Sequence, residues 1–242
     1  LAPVYIFAIL LNLYFLKDFG QDNLLQYWSN IIYINNYIPG SPMAWTWSLA
    51  IEEQFYIVVP FLLVFIFPKF RNKATFFIVL SGISIFLSWY YVYVLKQYTL
   101  PFNLTFLSKE WSAWFTGYYM LTHLRYIGLL LGVAAAYLNV YKSNEVKKIF
   151  ENRTGLITFF SIVSVIGLLF LSFTPVGEWI PMKSSIFNNV NVHVAKWYEI
   201  LTRPLFTLLV AFIIIACIYG NNFIINPIKN FLSLRFFYPI AQ

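Results

Sequence analysis

The sequence predicts an all-α, polytopic transmembrane helix bundle with about six complete spans and a partial seventh. Two observations carry that prediction. The chain is 60% hydrophobic and only 10% charged over 242 residues, against about 25% charged in an ordinary soluble domain, so it has too few polar groups to cover its own surface in water. Its apolar residues also fall into long runs separated by short polar or aromatic stretches, and its mean hydropathy is +0.71.

Taken in order, the runs place helices at 3–16, 48–67, 75–95, 119–141, 155–173 and 198–219, with a seventh beginning near 227. Twenty residues at ~1.5 Å each reach about 30 Å, the thickness of bilayer hydrocarbon. The first run is short for a span. Together with the opening Leu1-Ala2-Pro3-Val4, which has no start methionine and no basic leader, it creates the expectation that residues 1–242 are the central part of one membrane domain, truncated at both ends.

Basic residues assign the sides. Lys69, Arg71, Lys73, Lys142, Lys147, Lys148, Arg153, Lys229 and Arg235 follow helices two, four and six, whereas the alternate connections hold only Lys17, Lys96, Lys109, Lys183 and Lys196. The positive-inside rule puts the first group in the cytoplasm and the loops 17–47, 96–118 and 174–197 on the outer side. The +7 net charge is thereby an orientation signal and not a nucleic-acid signal. Trp28, Trp45, Trp47, Trp111, Trp114 and Trp179 fit an interfacial belt on the outer side, and parts of the long loops are expected to lie flat or fold over a cavity. The single Cys217 cannot form an internal disulfide. The residue usage suggests an AT-rich bacterial genome, and with it a bacterial inner membrane as the setting.

Polar groups gather at one depth. Glu52 and Glu53 stand just inside helix two, His123 and Arg125 just inside helix four, and Glu199 and Arg203 at the start of helix six. An ionised carboxylate well inside the hydrocarbon costs roughly 2.5–3.5 kcal/mol on insertion scales, so such residues read first as a functional site. Plainer readings compete: Glu199 and Arg203 as an i,i+4 ion pair, His123 as a hydrogen-bonded packing residue, Arg125 as a salt-bridge partner of Glu52, and Gly128 with Gly132 as a close-packing pair. Pro60 and Pro204 each free a backbone carbonyl inside a helix.

The stretch Trp47-Ser48-Leu49-Ala50-Ile51-Glu52-Glu53-Gln54-Phe55-Tyr56 resembles the membrane acyltransferase-3 family, multi-pass enzymes that O-acylate cell-surface saccharides. The family motif reads W-S-L-x-x-E-x-x-F-Y, and every position matches. Three weaker echoes are Leu1-Ala2-Pro3-Val4-Tyr5, Arg125 with Gly128, Leu130, Leu131 and Gly132, and Phe237-Tyr238-Pro239-Ile240. The resemblance implies transfer of an acyl group, acetyl foremost, from cytoplasmic acyl-CoA to a saccharide hydroxyl outside. It implies no bound cofactor and no metal, with acyl-CoA as co-substrate and acyl-CoA, a saccharide acceptor and the lipid bilayer as partners. Glu52 becomes a supporting carboxylate for the family's catalytic histidine. Trp47, Glu53, Tyr56 and Arg125 become acceptor-binding residues, with His123, Glu199 and Arg203 as further candidates. The family's R/K-x10-H and R-x-x-R motifs have no counterpart in these residues and are expected before Leu1, and His123 does not occupy the histidine's position. The rival class is a membrane transporter or flippase with an outer-leaflet polar site.

Overall fold

A computed structural model describes residues 2–16, 27–96, 109–173 and 192–237. Among the described residues the regular structure is entirely helical, as an apolar solvent requires of single segments that must satisfy their own backbone. Helix α1 spans Ala2–Leu16, and a short α2, Trp28–Ile31, lies within the connection to α3, Trp47–Phe61. A 3-10 turn at Ala44–Thr46 leads into α3, and a π turn at Leu62–Ile66 and a 3-10 turn at Phe67–Lys69 extend it. The wide turn directly follows Pro60, where the ring removes an N–H from the i→i−4 ladder. Helix α4 is Lys73–Tyr93, started by Asn72, whose Oδ1 accepts from the Ala74 N–H at 3.0 Å.

Helix four of the sequence reading is not continuous. Helix α5, Lys109–Trp114, passes through a π turn at Phe115–Tyr119 into α6, Thr122–Arg125, and α7, Ile127–Tyr141. Leu121 is extended there (ψ 124°), which interrupts the helix just where polar side chains collect. The connection read as a loop after it holds an amphipathic helix, α8, Ser143–Asn152, which buries Val146 and Phe150. Helices α9, Thr154–Phe173, and α10, Val192–Tyr219, complete the bundle. The expected seventh span is, in its described part, the short helix α11, Ile225–Leu232, begun by Asn222, which accepts from the N–H groups of Ile224 and Ile225. The echo at 238–240 lies outside the described residues.

Four helices are long and apolar enough to cross a membrane, in the segments Ala44–Lys69, Lys73–Tyr93, Thr154–Ser172 and Lys196–Tyr219, and Pro3–Phe15 and Ile127–Tyr141 are shorter apolar helices. The chain is thus a multi-pass helical membrane bundle. Helix α10 is its centre, packing against α9, α7 and α4. Gly128 on α7 meets Thr207, where an added Cβ would sit 3.8 Å from the Thr207 side chain, and Gly167 on α9 leaves room for Leu209. Gly132 faces open space, so only one member of the expected pair sits at a helix contact. The lipid-facing surfaces are apolar, as Phe61, Val64 and Phe65 after Pro60 show by their exposure.

The largest departure from expectation is the segment 27–46. Read from sequence it is an outer loop; in the structure it is a buried polar core. Asn30 and Asn35 are 0% exposed and Asn36 2%, with Ser29, Ser41 and Thr46 buried beside them. Tyr5 and Ile9 of α1 close one side together with Tyr27 and Met43. Two non-glycine residues of the segment, Tyr33 (φ 57°) and Met43 (φ 51°), hold left-handed backbone, a conformation that persists where the surroundings over-determine it. Trp28 and Trp45 are exposed, whereas Trp47 and Trp114 pack against other side chains of the bundle. The side chains of Trp111 and Trp179 lie outside the described residues.

Candidate functional site

Two clusters of polar side chains meet at the end of the bundle formed by the start of α3, the end of α4, residues 115–126 and the start of α10. The first is neutral. On α3, Gln54 follows the paired glutamates, and its Nε2 donates to Asn36 Oδ1 at 2.9 Å and to the Tyr33 carbonyl at 2.5 Å. Its Oε1 accepts from Thr122 Oγ1 at 2.5 Å, and Asn36 Nδ2 donates in turn to Thr122 Oγ1 (2.7 Å) and to the Met120 carbonyl (3.1 Å). Asn36, Gln54 and Thr122 thereby close a ring of hydrogen bonds joining the loop, α3 and α6. A second knot centres on Thr46. Its Oγ1 accepts from Asn35 Nδ2 (3.1 Å) and Asn30 Nδ2 (3.4 Å), bonds the Tyr5 hydroxyl (3.1 Å) and donates to the Met43 carbonyl (2.8 Å). Ser29 and Ser41 hydrogen-bond at 2.6 Å, and Ser41 also donates to Asn30 Oδ1. Burial raises the Tyr33 phenol above its ordinary range, and the Glu53 carboxylate and Tyr5 push the same way.

The second cluster is cationic. Arg125 lies over the Tyr119 ring at 3.7 Å and over Trp47 at 4.8 Å, with its Nε donating to the Tyr119 carbonyl at 2.7 Å. From α10, Arg203 lies over the rings of Tyr118 (5.0 Å) and Tyr119 (4.9 Å). Trp47 meets Tyr119 and Phe115 edge-on, and Trp114 Nε1 donates to Glu199 Oε1 at 3.1 Å. Tyr118 is buried among Val92 of α4, Leu121, Leu124 and Ile200 of α10, so this cluster also sits where helices are clamped together. The π turn at Phe115–Tyr119 presents the rings that both arginines use.

The structure brings Trp47, Arg125, Arg203 and Glu199 together and leaves other expected partners apart. Glu199 and Arg203 form no ion pair within 4 Å; Glu199 accepts from Trp114 and feels Arg203 only at longer range. Arg125 makes no salt bridge to Glu52; aromatic faces take the place of the carboxylate. The ion pairs among the described residues are Lys142–Glu145 and Lys147–Glu151, both exposed. Glu52 is half-buried on α3 between the buried Ile51 and the outward Ser48 and Tyr56, and makes no hydrogen bond or ion pair among the described residues. Tyr56 is 56% exposed. His123 is spanned by two tyrosines: Nδ1 lies 3.0 Å from the Tyr37 hydroxyl and Nε2 3.0 Å from the Tyr91 hydroxyl, with its ring stacked on Tyr37. That is the hydrogen-bonded packing role.

Gln54, Asn36, Thr122, Thr46, Asn30 and Asn35 went unmarked in the sequence reading. The available signal was Gln54 in the same run as the glutamates, and an Asn-Asn pair inside an apolar connection. Among the described residues no three His, Cys, Asp or Glu side chains gather as metal ligands. A separate apolar groove of about 390 Å³ lies between α9 and α10, lined by Phe170, Leu171, Trp197, Leu201 and Leu205.

No family model matches the chain, and no solved structure matches it. A curated protein does: Nose resistant to fluoxetine protein 6 of Caenorhabditis elegans, 27% identical over 242 aligned positions that cover 92% of this chain. The chain is a distant homologue of that protein. It spans 27% of the relative's length, and the relative's name records a phenotype and no reaction.

Proposed function

We propose that this chain forms the acceptor end of a multi-pass membrane O-acyltransferase, moving an acyl group from acyl-CoA to a hydroxyl of an exported or surface saccharide. The observation that carries the reading is the fixing of the 47–56 motif at both ends of its polar head. Gln54 ties α3 to Asn36 and Thr122, and Trp47 packs under Arg125. Trp47 and Gln54, seven residues apart, thus share the face of α3 that meets Arg125 and Thr122, while Glu52 is half-buried on the same helix between the exposed Ser48 and Tyr56.

The chemistry is ordinary acyl transfer. A base takes the acceptor hydroxyl proton, the oxygen attacks the thioester carbonyl, donors hold the developing oxyanion, and the C–S bond breaks to release the CoA thiol with a proton. In this reading the base is the family histidine of the longer protein. Glu52 orients and charges that imidazole, a recurrent use of a neighbouring carboxylate, while Trp47 offers a ring face to the sugar. The basic end, with Lys69, Arg71, Lys73 and the α8 lysines, is the cytoplasmic end by the positive-inside rule.

The test is Glu52→Gln in the full-length parent, assayed by transfer from labelled acyl-CoA. The expected result is a loss of about 10²–10⁴-fold in rate at normal expression, the range of a positioned acid–base partner. Near-wild-type transfer removes Glu52 from the mechanism. Substrate uptake without acyl transfer in the wild-type parent would favour the transporter reading.

A further inference from the structure

We infer that Arg125 of α6 and Arg203 of α10 form a binding site for an anionic oxygen group, a carboxylate or a phosphate. The inference deepens the acceptor-site reading by giving the ligand a charge, and rests on that reading only in taking the anion to belong to the acceptor.

Both guanidinium groups converge on one ring, Arg125 at 3.7 Å from the Tyr119 centroid and Arg203 at 4.9 Å. Two like charges held over one phenol repel each other, and removing them from water makes the repulsion larger. Such a pair ordinarily carries compensating carboxylates. Here Glu199, which accepts from Trp114 Nε1, is the acidic side chain that faces both arginines electrostatically, and it stands in no ion pair within 4 Å of either. The cluster therefore holds two positive charges against one negative.

The hydrogen-bonding inventory agrees with the charge count. Arg125 Nη2 and Arg203 Nη1 are both sealed from solvent and have no acceptor. A buried donor without a partner is destabilising, more so when charged, so two of them at one place, on two different helices, mark a missing acceptor. The Nε of Arg125 is already fixed by the Tyr119 carbonyl at 2.7 Å, which sets the plane of the guanidinium and leaves its terminal nitrogens as the donating edge. Oxyanions that present two acceptor oxygens fit such a planar edge, which is how arginine binds carboxylate and phosphate bidentately. Tyr119 is covered by Arg125, Arg203 and Phe115, which leaves the Trp47 ring beside Arg125 as the apolar surface for the face of a sugar ring. An acidic saccharide unit supplies both features at once; an anionic lipid headgroup supplies only the charge.

The experiment uses the full-length protein in nanodiscs, read by thermal melting. Wild type in phosphatidylcholine discs is titrated with methyl glucuronoside and with inorganic phosphate, against equal ionic strength of chloride. A parallel set of discs contains phosphatidylglycerol. The expected result is a saturable rise in melting temperature with a soluble oxyanion, at least about tenfold weaker in apparent affinity in Arg125→Gln and Arg203→Gln. Arg125→Lys, which keeps the charge and loses the fork, is expected to fall between. Stabilisation by phosphatidylglycerol alone, lost in the same variants, would assign the site to a lipid headgroup. If one variant does not fold, the wild-type titration and the other arginine decide. The site is refuted by no saturable rise with either probe and no phosphatidylglycerol effect, or by effects that persist unchanged in the folded glutamine variants. Acyl transfer is not measured here, so loss of activity in Glu52→Gln with no anion binding would sink this inference and leave the transferase reading standing.

Discussion

The hydrogen-bonded ring and the cationic cluster sit side by side and are built on opposite plans, although the neighbouring Thr46 knot leaves the buried Asn35 Oδ1 without a donor. In the ring of Asn36, Gln54 and Thr122, each side-chain amide and hydroxyl meets a partner from another element. In the cluster of Arg125 and Arg203, the charges are held by ring faces and two donors stay unused. A closed set of hydrogen bonds fixes shape and leaves nothing over for a ligand. An open set costs stability and keeps donors free to recognise something. The network is therefore expected to carry the stability of this end, and the cluster its binding.

Gln54→Leu should break the comparison hardest. It strands Asn36 Oδ1, the Tyr33 carbonyl and the Thr122 hydroxyl in a buried place, and should destabilise by about 3 kcal/mol or more, read as a large fall in melting temperature. An unchanged melt would show that the ring does not hold the fold. Thr46→Val comes next: it keeps the shape but removes the acceptor used by Asn30 and Asn35 and the Tyr5 contact, and should cost about 2 kcal/mol, with Thr46→Ser recovering most of it. Arg203→Met should change stability by less than ~1 kcal/mol in either direction, because losing the ring contacts is offset by relieving an uncompensated charge. A loss of several kcal/mol would mean that the arginine is a structural clamp. His123→Phe should matter least. It keeps the stack on Tyr37 and gives up two partly exposed hydrogen bonds, for under about 1 kcal/mol; transfer activity lost at an unchanged melt would return His123 to the mechanism.

The two regions also differ in how far they could be read from residues alone. Apolar runs located six helices because lipid demands continuous hydrophobicity, and α9 begins within one residue of its expected start. The depth arithmetic grouped Glu52, Glu53, His123, Arg125, Glu199 and Arg203, and the structure gathers Arg125, Arg203 and Glu199 of these in one cluster. What it missed were partners. Charge suggested carboxylates for the arginines, whereas aromatic faces hold them, and with 21% aromatic residues no single ring announces itself. The 27–46 core was hidden for another reason: asparagine and serine in a connection have no period, most of them bond within the segment and to Tyr5 of α1, and Asn36 takes its partners from 120–122, far later in the chain. The break before α6 was hidden because Leu121 and Met120 are apolar and extend the hydropathy run across it.

That dependence on a distant segment sets an order of events at the ribosome. Asn36 finds Thr122 86 positions downstream and Gln54 finds it 68 downstream. At roughly 5–20 residues per second, the amide of Asn36 must wait about 4–17 s for its partner to be synthesised. Throughout that interval the nascent asparagines need water or a chaperoning surface, so the loop cannot settle into lipid when α1 and α3 first insert. Its closure is a late act of biogenesis, and a stall or truncation before position 122 would leave an unfinished hairpin for quality control to recognise.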